Sequence, residues 1–334
     1  MSYTDEDLAA AEQAGVLSEA QTNAFRRFVE KRRNSPSVDE ENFRFLSSFN
    51  DIFVTLACGL VLFSGYWLLK QNLDAQLAYI TTAALAWGIA EYFSRKRHLA
   101  LPSIFLLGAF IFCIASAVSF EPGTVTETTE TISRGLAVGV ATFLHWQRFK
   151  VPITIAVGAG AALTVIIGVL VKGFPALGDH LDILLFFGGC GLLSLAMAWD
   201  LSDRDRITYR SDAAFWLHLL AAPLLIHPVF GDIISRDSAD TLAGALFVIL
   251  IYLLISLISV CIDRRALMVS GLAYALYAIQ IIFRNYGLMD ASLAVTALLI
   301  GSGLLLLSAL WHKVRHGLVS RLPEKIQACL PTLN

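Results

Sequence analysis

From Asp51 onward the sequence consists of long apolar runs separated by short polar stretches. A helix needs about 17–25 mostly apolar residues to cross a bilayer, and nine of the ten runs have that length. The fourth is shorter and begins with a polar pair that includes Arg134. The sequence therefore predicts an all-α, polytopic transmembrane helix bundle of about ten spans. The predicted spans are residues 52–69, 75–93, 99–119, 132–146, 151–171, 181–199, 213–234, 241–262, 266–283 and 291–311.

Composition supports a membrane protein and excludes two other classes. Hydrophobic residues make up 56% of the chain and charged residues 16%, with a mean hydropathy of +0.66. Soluble domains carry roughly 25% charged residues, so a soluble enzyme is excluded. The formal net charge of −2 provides no basic surface for nucleic acid. The partner that the composition implies is the lipid bilayer.

Lys and Arg residues predict the orientation of the bundle. When the N-terminus is placed in the cytoplasm, twenty of the twenty-five Lys and Arg residues fall in inner segments. The five on the outer side are Lys70, Arg134, Lys172, Arg236 and Arg284. Because inner loops of membrane proteins are enriched in these residues, we expect both termini to be cytoplasmic.

Residues 1–50 form a polar segment that precedes the first span. Ser18 and Gln21 have the spacing of a capping box, and the apolar stripe that follows predicts the second helix of a small cytosolic α-hairpin. We therefore expect three regions: residues 1–50, a transmembrane domain 51–311 and a cytosolic tail 312–334. The hairpin is a candidate docking site for a cytosolic protein. Its candidate docking residues are Phe25, Phe28, Arg32 and Arg33.

Span 7 has the most unusual composition of the ten. Pro223 and Pro228 each remove a backbone donor and favour a kink, and His227 lies between them. Broken helices with a polar residue at the break can line a cavity, which makes His227 a candidate ligand or proton site. The alternative is a neutral histidine that bonds a carbonyl freed by proline. His218, closer to the cytosolic end, is expected at the membrane interface.

Polar residues at the outer ends of spans 6 and 7 form the second candidate site. Consecutive spans are often neighbours, so these groups could converge with His227, and carboxylate with imidazole suits a divalent metal or an acid–base pair. The alternative for Asp179 and Asp182 is helix capping. Since the spacing matches no metal motif, we predict no metal, cofactor or catalytic residue. The candidate ligand or transport residues are His227, Asp232, Asp179, His180, Asp182 and Gln280.

Runs of small residues predict close contacts between helices. Such residues let helix backbones approach where lipid supplies no hydrophobic driving force. The runs are Gly135-x-x-x-Gly139, 158–162, 188–191 and 301–303.

The two ends of the chain resemble a known group of proteins. The segment Asp5–Lys31, with its turn from Ala14 to Gln21, resembles the N-terminal helical hairpin of a group of uncharacterised bacterial multi-span inner-membrane proteins. The acidic and Phe-rich stretch 39–51 and the tail from Arg321 to Pro331 resemble the same group. The resemblance implies a bacterial inner membrane and no particular chemistry.

Three functions agree with these observations. The first is a non-enzymatic sensor, scaffold or assembly factor that docks a cytosolic partner through residues 1–34. The second is a small-solute transporter, in which ten spans would divide into a five-plus-five inverted repeat as in some metabolite exporters, with kinked span 7 lining the path. The third and least favoured is an intramembrane enzyme that uses the outer Asp and His residues.

Overall fold

The computed structural model describes residues 14, 16–18, 21–22, 49–120, 123–203, 208–235, 241–285, 292–327 and 330–331. The chain divides into two compact units, residues 1–42 and residues 43–333. All regular structure in the described ranges is helical, which confirms the predicted all-α class.

The described part of the larger unit contains ten long helices. They are α1 Phe49–Asn72, α2 Ala75–Phe93, α3 Ala100–Ala117, α4 Glu127–Phe149, α5 Ile153–Gly173, α6 Leu181–Ser202, α7 Tyr209–Ser235, α8 Leu242–Ile262, α9 Ala266–Asn285 and α10 Ser292–Val319. A 3-10 turn, Pro175–His180, precedes α6, and a short helix α11, Glu324–Gln327, follows α10. Each predicted span overlaps one of these ten helices, although several bounds differ.

Eight described helices are long and apolar enough to cross a membrane, so the chain is a multi-pass membrane protein. The other two long helices, α2 and α4, fall outside this group. Gln76 and Glu91 lower the hydropathy of α2, although its bounds match the prediction. Helix α4 contains Glu127, Glu130 and Arg148.

Helix α4 is longer than predicted. It begins at Glu127 because the Thr126 side chain caps it, accepting a hydrogen bond from the Thr129 backbone. Its 23 residues extend about 34 Å at 1.5 Å per residue. Arg134, expected close to a span end, lies about two turns inside this helix and donates to Glu130 at 2.5 Å.

The described part of the smaller unit contains the predicted capping box. The Ser18 backbone N–H donates to Gln21 Oε1 at 3.0 Å, and the Gln21 N–H donates to Ser18 Oγ at 3.3 Å. This reciprocal pair satisfies two donors at a helix start, and Gln21 and Thr22 are helical.

Helix packing in the larger unit uses ridges of small residues. On α2, Ala78, Thr82, Ala86 and Ala90 are buried at four-residue spacing, and α2 packs mainly against α3. Helix α7 contacts α5, α6, α8 and α9 and therefore lies at the centre of the second half. Small side chains allow the close backbone approach by which helices associate in lipid.

The glycine runs differ in what they contact. A Cβ at Gly189 would lie 3.1 Å from the Leu224 carbonyl carbon of α7, and one at Gly135 would lie 2.8 Å from Val165 Cγ2 of α5. These two positions confirm the predicted close contacts. The prediction for Gly301 and Gly303 is wrong, because a Cβ there would meet nothing within 4 Å in the described part of the chain.

Contacts between helix ends show that helices α2 to α5 alternate in direction. At one end, which we call the outer end, Gln76 Nε2 at the start of α2 donates to the Ser119 carbonyl after α3, at 2.8 Å. Lys172 near the end of α5 donates there to Thr129 of α4 at 3.1 Å. At the opposite, inner end, Arg148 of α4 donates to Glu91 of α2 at 2.6 Å.

Large apolar side chains cover much of the outside of the bundle. Phe63 of α1 is 68% exposed, Phe187 of α6 is 67% exposed and Leu305 of α10 is 74% exposed. An apolar surface of this kind fits contact with lipid acyl chains rather than water.

Candidate functional site

The most developed polar site in the described chain is a buried ion cluster at the inner end of α6. Asp200, in the last turn of α6, is 2% exposed. Arg264 binds its carboxylate with two nitrogens, donating from Nη2 to Oδ1 at 2.5 Å and from Nε to Oδ2 at 3.1 Å. Two parallel hydrogen bonds fix both position and angle, so α6 is tied to the turn between α8 and α9.

His218 of α7 completes this cluster. Its Nε2 lies 2.9 Å from Asp200 Oδ2, and its side chain is 0% exposed. The carboxylate can only accept, so His218 donates from Nε2. The structure thus places the His218 side chain inside the bundle. From the sequence, this residue was expected at the membrane interface.

The tight α8–α9 turn aims Arg264 inward. Asp263 ends α8 in the left-handed conformation, with φ of 63°, which Asp tolerates better than most residues. The Ser259 hydroxyl donates to the Arg264 carbonyl. Turn geometry therefore determines that this arginine points between helices.

Asp263 connects the same turn to α10. Trp311 Nε1 donates to Asp263 Oδ1 at 2.9 Å, and Arg315 Nε lies 3.5 Å from the same oxygen. Arg315 Nη2 also donates to the Pro331 carbonyl of the tail at 2.8 Å. The guanidinium of Arg265 lies over the Trp311 ring at 4.8 Å.

These contacts join the inner ends of α6, α7, α9 and α10. Buried charges are costly unless they are paired and hydrogen-bonded, and here each carboxylate faces an arginine. The arrangement can hold four helices in one relative position.

A second buried histidine lies in the first half of the bundle. His145 of α4 is 1% exposed, and its ring centroid is 4.6 Å from that of Phe149 and 5.9 Å from that of Trp87. Its Nδ1 lies 3.3 Å from Thr154 Oγ1. Sequence analysis did not select this residue, because nothing local distinguishes it from an interfacial histidine.

Three residues predicted at the outer end of α6 are exposed. Asp179 and His180 lie in the 3-10 turn, and Asp182 lies in the first turn of α6. The backbone of Asp232 belongs to α7, but its side chain lies outside the described part of the structure. Among the described residues, no group of three His, Cys, Asp or Glu could hold a metal ion.

His227 lies on an exposed part of α7 and contacts α9. Its Nδ1 is hydrogen-bonded to the Tyr274 hydroxyl, and the Tyr274 ring stacks on Phe230 at 4.8 Å. Gln280, also on α9, is half-buried. The predicted cluster of His227 with the carboxylates at the start of α6 is therefore not observed among the described residues. His227 is hydrogen-bonded to a tyrosine instead.

The candidate docking residues of the N-terminal hairpin lie outside the described residues. They are Phe25, Phe28, Arg32 and Arg33.

Asp200, Asp263 and Arg264 were not predicted as site residues from the sequence. One local signal was present: the connection between α8 and α9 has only three residues, Asp263 to Arg265, so its charges must lie beside the helix ends. Which of those charges is buried depends on the packing of α6 and α10.

The chain was also compared with known proteins. No protein-family model, curated protein or solved structure matches it.

Proposed function

We propose that the chain is a ten-span protein of a bacterial inner membrane with both termini in the cytoplasm. In support, contacts place the α2–α3, α4–α5, α6–α7 and α8–α9 connections at one end of the bundle. With ten spans, both termini fall on that same side, which then carries twenty of the twenty-five Lys and Arg residues. That asymmetry is typical of a cytoplasmic face.

Within this membrane, the protein acts as a non-enzymatic sensor, scaffold or assembly factor. The observation that supports this most strongly is the Asp200–His218–Arg264 cluster, which fixes the inner ends of several helices by buried contacts. Breaking a buried pair costs about 3–5 kcal/mol, so the cytoplasmic end of the second half is a stable platform. Residues 1–34 are the segment through which a cytosolic protein docks.

The test of docking uses photo-crosslinking in cells. A photoreactive residue replaces Phe25 or Phe28 in the full chain, and crosslinked products are compared with those of Arg32→Glu/Arg33→Glu double variants. We expect one defined product that the charge reversal removes while expression and thermal stability stay unchanged. Lys172→Glu, at the outer end, serves as the charge control. If no defined crosslinked product forms, or if the product persists in the charge-reversed double variant, docking through this segment is contradicted.

One observation favours the transporter as a second candidate. The ion pairs at the inner end divide by halves: Glu91 and Arg148 join α2 and α4, whereas Asp200, Arg264 and their partners join helices from α6 onward. Helices α5 and α7 connect the halves. Two five-helix bodies that meet mainly through α5 and α7 would suit alternating access.

A crosslink between the halves tests transport. A Cβ at Gly160 of α5 would lie 3.5 Å from Leu220 Cδ2 of α7. In a chain otherwise free of cysteine, Gly160→Cys/Leu220→Cys would be locked by a short bifunctional thiol reagent with a reducible spacer. A transporter would lose solute flux on locking, regain it on reduction and lose it in His227→Ala. Undiminished flux in the locked protein would eliminate alternating access between the halves.

A further inference from the structure

A cavity of about 180 Å³ lies at the inner end of the first half of the bundle. The α2–α3 and α4–α5 connections form most of it, and Trp216 of α7 closes one side. The wall includes Ser94, His98, Leu99, Lys150, Val151 and Ile153.

Ser94 provides the first sign that this cavity holds a ligand. The residue is 5% exposed, and its Oγ has no hydrogen-bond partner among the described residues. Ser103, which also lines the cavity, is different because its hydroxyl donates to the Leu99 carbonyl at 2.5 Å. Buried hydroxyls are normally satisfied, so the Ser94 hydroxyl is available to a group that enters the cavity.

Two helices begin at this cavity. Leu99 precedes α3 and Pro152 precedes α5, and neither start has a side-chain cap. The first N–H groups of a helix carry partial positive charge. At the start of α5, Thr154 and Ile155 already donate to the carbonyls of residues 151 and 152, so the donor that α5 offers to the cavity is the Ile153 N–H. Two such starts on one cavity favour an anion.

Side-chain charge around the cavity has the same sign. Residues 92–103 and 146–155 contain no Asp or Glu. Glu91, just outside these segments, is occupied by Arg148 and Arg95. The Lys150 ammonium lies over the Trp146 ring at 5.1 Å and pairs with no carboxylate among the described residues. The basic residues are Arg95, Lys96, Arg97, Arg148 and Lys150.

The remaining wall is apolar. Leu99, Ile104, Val151 and Trp216 line the cavity beside its polar groups, whereas a free phosphate ion would gain nothing from them. An amphipathic molecule with an anionic head satisfies both parts of the wall. Basic pockets at the cytoplasmic ends of spanning helices are suited to such lipids.

We propose that this cavity binds the phosphate headgroup of an anionic phospholipid from the cytoplasmic leaflet. The Ser94 hydroxyl and the helix starts bind the phosphate, Lys150 supplies charge at the rim, and the apolar wall contacts the first acyl carbons. The choice of leaflet rests on the proposed topology with both termini in the cytoplasm, whereas binding itself is independent of a cytosolic partner.

The test is thermal unfolding of the full chain in a neutral detergent, titrated with short-chain phosphatidylglycerol. Ligands that bind only the folded state raise its melting temperature in a saturable way. Short-chain phosphatidylcholine, glycerol phosphate and inorganic phosphate are titrated in parallel. We expect a saturable rise with phosphatidylglycerol and none with the other three over the same concentrations.

Two variants locate the site. Ser94→Ala removes the free hydroxyl, and Lys150→Asn removes the charge with a residue that tolerates the φ of 55° at this position. Because hydrogen bonds to charged groups are strong, we expect each to weaken phosphatidylglycerol binding about tenfold. Without lipid, Ser94→Ala should melt no lower than the unaltered protein, since its hydroxyl has no partner to lose. Ser194→Ala and Lys172→Asn are the matched controls.

Three results would overturn the proposal. An equal rise with phosphatidylcholine would remove the requirement for an anionic head. An equal rise with glycerol phosphate or inorganic phosphate would assign the site to a soluble phosphate and reject a lipid. Unchanged phosphatidylglycerol affinity in both Ser94→Ala and Lys150→Asn would place any lipid elsewhere.

Discussion

Arg264 and Asp200, sixty-four residues apart in sequence, form a two-point ion pair with hydrogen bonds of 2.5 and 3.1 Å. Their side chains are 2% and 1% exposed. Because the pair joins the end of α6 to the turn before α9, it links helices that do not follow each other along the chain.

Asp200→Asn should strongly destabilise the bundle. The change removes the carboxylate charge and leaves the Arg264 guanidinium buried without its counter-ion, which typically costs about 3–5 kcal/mol. Unfolding in mixed detergent, followed by circular dichroism, measures the loss.

The matched comparison is Glu91→Gln, which breaks the more exposed pair with Arg148, whose side chains are 30% and 43% exposed. We expect a much smaller loss there, since exposed pairs contribute little. The double variant Asp200→Leu/Arg264→Met should recover part of the stability, because no charge remains buried. Similar losses in Asp200→Asn and Glu91→Gln would show that burial does not set the strength of these pairs.

Gly189→Ala should separate α6 from α7. The added methyl would lie 3.1 Å from the backbone carbonyl carbon of Leu224, so the helices must shift at a cost of about 1–3 kcal/mol. The control is Gly191→Ala, two residues further along α6, where a Cβ meets nothing within 4 Å. In thermal unfolding, the melting temperature of Gly191→Ala should equal that of the unaltered protein or lie slightly above it. Equal behaviour of both variants would argue against close packing at Gly189.

Trp311→Phe should weaken the attachment of α10. The indole N–H that reaches Asp263 at 2.9 Å is lost, and a buried carboxylate that loses a donor costs about 1–3 kcal/mol. Limited proteolysis of the tail and thermal unfolding would report the change. Trp67→Phe on α1, where the side chain is 59% exposed, should have no effect. A stable Trp311→Phe protein with a protected tail would contradict this role.

The crossing of α2 and α4 can be tested by cysteine labelling. In a chain whose own cysteines are replaced, Asn72→Cys and Glu127→Cys should react with a membrane-impermeant maleimide added outside cells. Arg97→Cys and Gln147→Cys should react only after permeabilisation. Residue 97 lies past the opposite end of α2 from residue 72, and residue 147 lies at the opposite end of α4 from residue 127. Labelling of both members of a pair from one side would show that the helix between them does not cross.

Helix positions were largely predictable because the length and hydropathy that a bilayer requires are local properties. Helix α2 has the predicted bounds of residues 75 and 93. The start of α4 was not predicted because Glu127 and Glu130 are polar. A hydropathy pattern does not identify a polar first turn, even when a cap such as Thr126 stabilises it. The number of spans stays a prediction, since α2 and α4 are less apolar than the other eight.

The candidate sites were much less predictable. Chain order puts Asp179, Asp182 and His227 in the outer part of two consecutive helices, but helix rotation decides what each one faces. In the structure Asp179 and Asp182 are exposed, and His227 contacts Tyr274 of α9 instead.

The all-helical membrane class and the positions of the long helices could be predicted from the amino-acid sequence alone. These properties follow from composition and from short-range periodicity, which are local properties of each segment and do not depend on its neighbours in the fold. Tertiary packing, by contrast, brings Asp200, His218 and Arg264 together and places Ser94, Lys150 and two helix starts around one cavity. Contacts between distant residues depend on how each helix is rotated and which helices it packs against, and these are set by side-chain packing along the whole bundle.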